Sequence, residues 1–110
     1  MNWIPLIDIA EIAHITESSF QQPQVIFKHS TRCSISSMAK GRLERSEQPD
    51  SIQFYYLDLI AHRNISANIA ETFQVEHASP QVLVIKNGEC VYDESHSGIN
   101  MDEIIEQTNS

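Results

Sequence analysis

Residues 27–36 read FKHSTRCSIS: an apolar strand end, a polar turn, then Cys33 with a serine three places later at Ser36. Val25, Ile26 and Phe27 form the continuous apolar run expected of a strand buried on both faces of a parallel sheet. Ser30 and Thr31 offer capping hydroxyls, so a helix is predicted to open near Cys33. Its inward stripe reads as Ile35, Met38 or Ala39, and Leu43, and it must stop before Gln48-Pro49.

The flanking sequence extends this unit in both directions. Trp3 to Leu6 reads as a short first strand. Asp8 with Glu11 has the capping-box spacing and opens a helix whose Ile9, Ile12 and Ile15 or Ala13 face inward, closed by Pro23. Downstream, Ile52 to Leu59 is rich in aromatic and β-branched residues and is predicted to be a strand. Ile65, Ile69 and Phe73, spaced four apart, mark the next helix. Val82 to Lys86 and Cys90 to Tyr92 flank Asn87-Gly88, a pair that tolerates positive φ and so predicts a two-residue hairpin. Asn100 and Glu103 repeat the capping-box spacing and open a last helix through Ile104 and Ile105. The predicted order is βαβαβαββα, an α/β arrangement with a mixed central β-sheet flanked by helices on both faces, read as one domain over residues 1–110.

Composition narrows the function classes. Seven Lys and Arg against fifteen Asp and Glu give a net charge of -8, which opposes approach to nucleic acid and to anionic membranes. The start MNWIPLIDIAEIAHI lacks a basic leader, and its apolar residues are interrupted by Asp8 and Glu11, so neither a signal peptide nor a spanning helix is expected. A cytoplasmic protein is expected, and its two cysteines then point to chemistry or burial rather than to a structural disulfide.

Cys33 has the setting of a reactive thiol. A thiol attacks as thiolate, and the unpaired N–H groups and dipole of a helix N-terminus favour that anion, with pKa values of roughly 3.5 to 7.5 in such settings. Lys28, Arg32, Lys40, Arg42 and Arg45 are five of the seven basic residues, opposed between positions 28 and 45 by Glu44 alone. Such an island would also attract a small thiol that carries carboxylates. Lys40, Arg42 and Arg45 read better as a solvated helix face, whereas Arg32 beside the sulfur reads as a contact. Ser36, one turn on, stands where a dithiol enzyme would carry its resolving cysteine. Its hydroxyl is expected to hydrogen-bond the thiolate but cannot close an internal disulfide. Cys33 must therefore keep a mixed disulfide until a second thiol arrives.

The element order, CxxS after a buried strand, and an X-Pro leading into the hairpin together resemble the thioredoxin fold over essentially the whole chain. Within it, three stretches resemble the YtxJ family, the monothiol bacilliredoxins of the bacillithiol system. FKHSTRCSIS is similar to that family's Cys-Pro-Ile-Ser site, HASPQVLVIKNG to its Ser-Pro-Gln hairpin, and SHSGI to the Ser-His segment before its last helix. The resemblance implies a monothiol thiol–disulfide oxidoreductase in which Cys33 takes bacillithiol, or a similar low-molecular-weight thiol such as glutathione, off S-thiolated client proteins. It implies no bound cofactor, the small thiol acting as cosubstrate. Two positions depart from the pattern: Ser34 replaces the usual Pro, which bears on the reduction potential, and Ser97 stands where an aromatic residue is expected.

In a thioredoxin-like fold the bond before Pro80 would be cis and close to the sulfur. It would expose the backbone of Ser79, on which an extended client segment could pair as an added strand. If Asn87-Gly88 is the turn, cross-hairpin positions sum to 175, which places Ser95 opposite Pro80 and Cys90 opposite Ile85. Cys90 then lies roughly 17 Å from Ser95 along the strand, too far to bridge Cys33 when disulfide Cα atoms must come within roughly 7 Å. Ser36 is thus expected beside Cys33 in the catalytic pair, with Arg32, Ser34, Ser79, Pro80 and His96 as substrate contacts. Two other classes compete: a Zn or Cu module using His29, Cys33, His77 and His96, and a thioredoxin-like interaction domain without turnover. No CxxC or HxxH supports the metal, and none is expected.

Overall fold

The computed structural model describes residues 1–109. Strands β1 (Trp3–Pro5), β2 (Gln24–His29), β3 (Gln53–Asp58), β4 (Gln81–Lys86) and β5 (Glu89–Ser95) alternate with helices α1 (Ala10–Ser18), α2 (Ser34–Glu44) and α3 (Arg63–Phe73), and α4 (Met101–Thr108) closes the chain after a 3-10 turn at His96–Gly98. The sheet order is β1-β3-β2-β4-β5. The first three strands run parallel, and β4 reverses against β2, with Lys28 opposite Gln81.

Every residue of β2 is buried, as its apolar run requires of a central strand. Alternation along it feeds two cores. Ile26 joins Ile15, Leu57, Ile69 and Leu83 beneath α1 and α3, while Val25 and Phe27 join Ala39, Leu43, Val84 and Ile104 beneath α2 and α4. Helices therefore cover both faces. At the hairpin, Asn87 and Gly88 take φ of 54° and 81°, the left-handed pair that a two-residue turn needs. A Cβ on Gly88 would also lie 2.8 Å from the ring of Phe20. Asn100 caps α4 by accepting the Glu103 N–H at 2.9 Å.

Several expectations are corrected. Ile9 is 41% exposed, and Ile12 and Ile15 alone of the predicted set face inward from α1. The Asp8 carboxylate accepts from the Ala10 N–H rather than from Glu11. On α2 the inward stripe is Ser36, Ala39 and Leu43, whereas Ile35 and Met38 are 48% and 65% exposed. Neither Ser30 nor Thr31 caps that helix, because Cys33 itself holds the N-cap position in an extended conformation. In the hairpin, Ile85 does face Cys90, but an irregularity between Val84 and Ile85 shifts the later pairs by one, so Ser95 faces Gln81 rather than Pro80. Among the described residues no helix is long and apolar enough to cross a membrane.

Candidate active site

β2 delivers the chain to the site. Past His29 it turns through Ser30, whose carbonyl accepts the Cys33 N–H at 3.2 Å, and Cys33 then leads into α2 with φ −110° and ψ 120°. The Cys33 carbonyl accepts from Ser37, the first bond of the helix. The sulfur thus sits at the N-terminus of an 11-residue helix whose first turn contains no acidic residue, a setting that favours an anion. Cys33 is half-exposed and its thiol is unbridged. Arg32 and Ser34 on either side of it are exposed.

Ser36 is fully buried one turn along, but its hydroxyl is already engaged: it lies 2.7 Å from His29 Nδ1 and accepts the Ser30 N–H at 3.0 Å. The expected hydrogen bond from Ser36 to the sulfur is not formed in this geometry. His29 is itself buried, between the rings of Phe27 and Tyr56. Burial, followed by the charge of Lys40, holds its imidazole below the ordinary 6.5, against the opposing pull of Asp58, Ser36 and Glu44.

The pairing of Lys28 with Gln81, and of Gln81 with Ser95, brings the ends of β2 and β5 and the start of β4 to one end of the sheet. Pro80 follows a cis peptide bond there. Its carbonyl accepts the His96 N–H at 3.1 Å, and the Ser79 hydroxyl is buried without a hydrogen-bond partner among the described residues. His96 adopts φ 56° and is exposed. Arg42 holds this corner against α2, Nε donating to the Ile99 carbonyl at 3.1 Å and Nη2 to that of His96 at 3.2 Å. Reading Arg42 as one of a solvated row missed this clamp. Its only sequence signal is its place three positions after Ala39 on the side of α2 that meets the chain before α4. Lys40, by contrast, does lie in a surface ion pair, 2.7 Å from Glu44.

Cys90 sits at the far end, on β5 opposite Ile85, four residues along β4 from Gln81 and so about 14 Å away at the strand repeat. It donates to the Tyr92 carbonyl, and burial pushes its thiol up to about 11. The four metal candidates go separate ways, His29 to Ser36 and His77 to Lys28 and Ser66. Among the described residues no group of three or more His, Cys, Asp or Glu is placed to hold a metal.

A family model described as monothiol bacilliredoxin BrxC matches residues 4–104. A solved structure described as a candidate oxidoreductase with a thioredoxin fold superposes with a TM-score of 0.82 at 29% identity, covering 97% of this chain and 93% of its own. The thioredoxin of Malassezia sympodialis gives 0.75 at 20% identity over 99% and 92% of the two chains, and that of Trypanosoma brucei brucei 0.73 at 10% over 98% and 88%. The expected thioredoxin-like architecture is therefore the observed one.

Proposed function

Because the chain belongs to the monothiol bacilliredoxin family and is a thiol–disulfide oxidoreductase, we propose that it removes bacillithiol, or a similar low-molecular-weight thiol, from client proteins through Cys33. The Cys33 thiolate attacks the small thiol's sulfur in a client mixed disulfide. The client leaves as thiolate, and the small thiol stays on Cys33 as a new disulfide. A second small thiolate then attacks that same small-thiol sulfur, releasing the symmetrical small disulfide and regenerating Cys33. No electrons are left over, and no bound cofactor enters.

One observation carries this reading: Cys33 has no sulfur partner in reach. Ser36 occupies the resolving position and Cys90 lies at the opposite end of the sheet. An internal disulfide cannot compete with the incoming thiol. The half-buried backbone of Ser79, before the cis Pro80, is the docking edge for the client, and Arg32 and His96, both exposed, face the carboxylates of the small thiol. Ser34 contacts the bound thiol from the helix start. The reducing cytoplasm, where small thiols are abundant, is the compartment that suits this cycle.

The test is a de-thiolation assay on a model protein carrying bacillithiol or, in parallel, glutathione. Wild type and Cys90→Ala should release the small thiol and regenerate the client thiol, whereas Cys33→Ser should not. Release that persists in Cys33→Ser, or that depends on Cys90, would overturn the proposal.

A further inference from the structure

We propose that the cleft between the start of α3 and the chain leading to Ser79 receives an acidic side chain of the client, Asp or Glu, carried within two residues of its thiolated cysteine. The inference rests on the reading of the Ser79 backbone as the client's docking edge and adds a charge preference to it.

The cleft measures about 310 Å³ and is lined by Leu59, Arg63, Ser66, Ala67 and His77. None of these is acidic, although the whole chain carries a net charge of -8. Behind this wall stands Lys28, 0% exposed, with a single hydrogen bond for its three N–H groups: Nζ lies 3.3 Å from His77 Nδ1. No carboxylate among the described residues pairs with it. A buried charge without a counter-ion is costly, and burial accordingly lowers this ammonium from 10.5 to about 8. At neutral pH it still holds its proton, so an uncompensated positive charge backs the cleft.

The lysine also sets the imidazole. An ammonium can only donate, so His77 Nδ1 is its acceptor, shared with the Ser66 hydroxyl at 3.2 Å, and the hydrogen of the neutral ring sits on Nε2. Nε2 has no hydrogen-bond partner among the described residues, and His77 is exposed. Arg63, the first residue of α3, is exposed and pairs with no carboxylate among the described residues either. Two nearby acids leave these donors free. The Asp58 carboxylate accepts the N–H groups of Ile60 and Ala61 at 3.1 and 3.4 Å, and Glu76 is exposed and does not line the cleft. An imidazole N–H and a guanidinium fork thus border one space with an ammonium behind it, a donor set that suits a carboxylate. Leu59 and Ala67 offer apolar contact to the methylenes that carry it.

The cleft belongs to the catalytic end of the sheet. The Leu59 N–H donates to the carbonyl of His29 at 2.9 Å, four residues before Cys33, and His77 precedes Ser79 by two. Two residues of extended chain cover about 7 Å, so a client strand paired at Ser79 passes His77 with the residues nearest its cysteine.

De-thiolation kinetics on short peptides test this. Each peptide carries one cysteine, in mixed disulfide with bacillithiol or with mercaptoethanol, which has no carboxylate, and Glu, Gln or Lys within two residues of it. With either thiol, kcat/KM for the Glu peptide should exceed that for the Gln peptide about tenfold, mostly through KM, as expected for one added charge-assisted hydrogen bond. The Lys peptide should be slower still. Arg63→Glu should abolish or reverse that order, and Lys28→Met, which removes the charge behind the wall, should shrink the ratio. Because each variant is scored by its ratio between peptides, a general loss of activity cancels, and Lys28→Met carries the test if Arg63→Glu does not fold. A ratio near one in the wild type, or one that these variants leave unchanged, would overturn the proposal. So would a preference that follows the carboxylates of the small thiol and not those of the peptide. Binding without chemistry separates this from the functional reading: Glu and Gln peptides with Ser at the cysteine position are titrated into isotope-labelled protein, and the Glu peptide alone should shift the His77 Nε2 resonance. That shift without any turnover would sink the functional reading and leave this one standing, whereas turnover without peptide preference would sink only this one.

Discussion

Lys28 Nζ lies 3.3 Å from His77 Nδ1, a contact that ties the C-terminal end of β2 to the loop leading into Pro80. His77 Nδ1 also lies 3.2 Å from the Ser66 hydroxyl, so Lys28 and Ser66 share a single ring nitrogen. Lys28 is fully buried, and burial lowers its ammonium from 10.5 to about 8. A lysine in this position organises the loop at an electrostatic penalty.

That penalty has a defined pH window. Below about pH 8 the folded and unfolded chains both carry the Lys28 charge, and the folded chain bears the full burial penalty. Between about 8 and 10.5 the folded chain sheds its proton first, so the penalty fades as pH rises. Its full size is on the order of 3 kcal/mol. Lys28→Met is expected to gain up to that amount at pH 7, less about 1 kcal/mol for the lost hydrogen bond. The gain over wild type should shrink steadily toward pH 10.5. Urea midpoints of the two proteins across this range, both in a Cys90→Ala background because Cys90 and Lys28 act on each other's titration, check it, and taking their difference cancels the titration of the tyrosines. A difference that stays flat with pH would contradict the buried charge.

Cys90 should be inert in the folded protein. Its thiol is pushed up to about 11, mainly by burial, and thiolates rather than thiols alkylate. Native protein treated briefly with iodoacetamide near pH 8 is expected to carry one adduct, on Cys33, with Cys90 labelled only after denaturation. Peptide mass spectrometry decides between one native adduct and two.

Arg42→Gln should loosen the corner that carries His96. It removes the charged donors to the Ile99 and His96 carbonyls, one bond partly buried and one exposed. A stability loss of about 1–2 kcal/mol is expected, since bonds from charged donors are stronger than neutral ones but solvent screens the outer bond. Urea unfolding gives this loss. In the de-thiolation assay KM should rise more than kcat falls if, as proposed, the His96 loop meets the substrate rather than the sulfur. An unchanged KM would mean that the loop holds its place without the clamp.

Some of this site was written plainly in the chain. The all-apolar Val25–Phe27, the Asn87-Gly88 turn and the Asn100 cap are local signals, each set by a few adjacent residues, and each forms as read. The face of α2 was read rightly at Ala39 and Leu43 but wrongly at Ile35, because its first buried position is a serine. Hydrophobicity favours Ile35 and Met38 for the core, yet the buried position goes to Ser36, whose partner His29 satisfies it from another element. Pairing of that kind spans seven residues across a strand and a turn and leaves no periodic trace. The shifted hairpin register is similar: the irregularity beside Val84 inserts one residue that no turn motif announces. Arg42 looked like one of a row of surface charges because its acceptors are backbone carbonyls more than fifty residues away.

Ser34→Pro tests how far the helix start is already prepared for proline. Cys33 has φ −110° and ψ 120°, which lies in the extended region that a following proline imposes on its predecessor. Ser34 is the first residue of α2, where a missing N–H removes no helical bond and a fixed φ near −65° suits the helix. Its side chain is exposed and makes no capping bond. The substitution should therefore add stability by about 0.4–1 kcal/mol, chiefly by restricting the unfolded chain. It also deletes one N–H from the helix start that faces the sulfur, so iodoacetamide should react more slowly with the variant at neutral pH even though the variant is more stable. Thermal unfolding and alkylation rates measured on the same preparations check both parts. A destabilised variant would mean that the corner does not accept the ring, and an unslowed thiol would mean that the deleted donor does not reach Cys33.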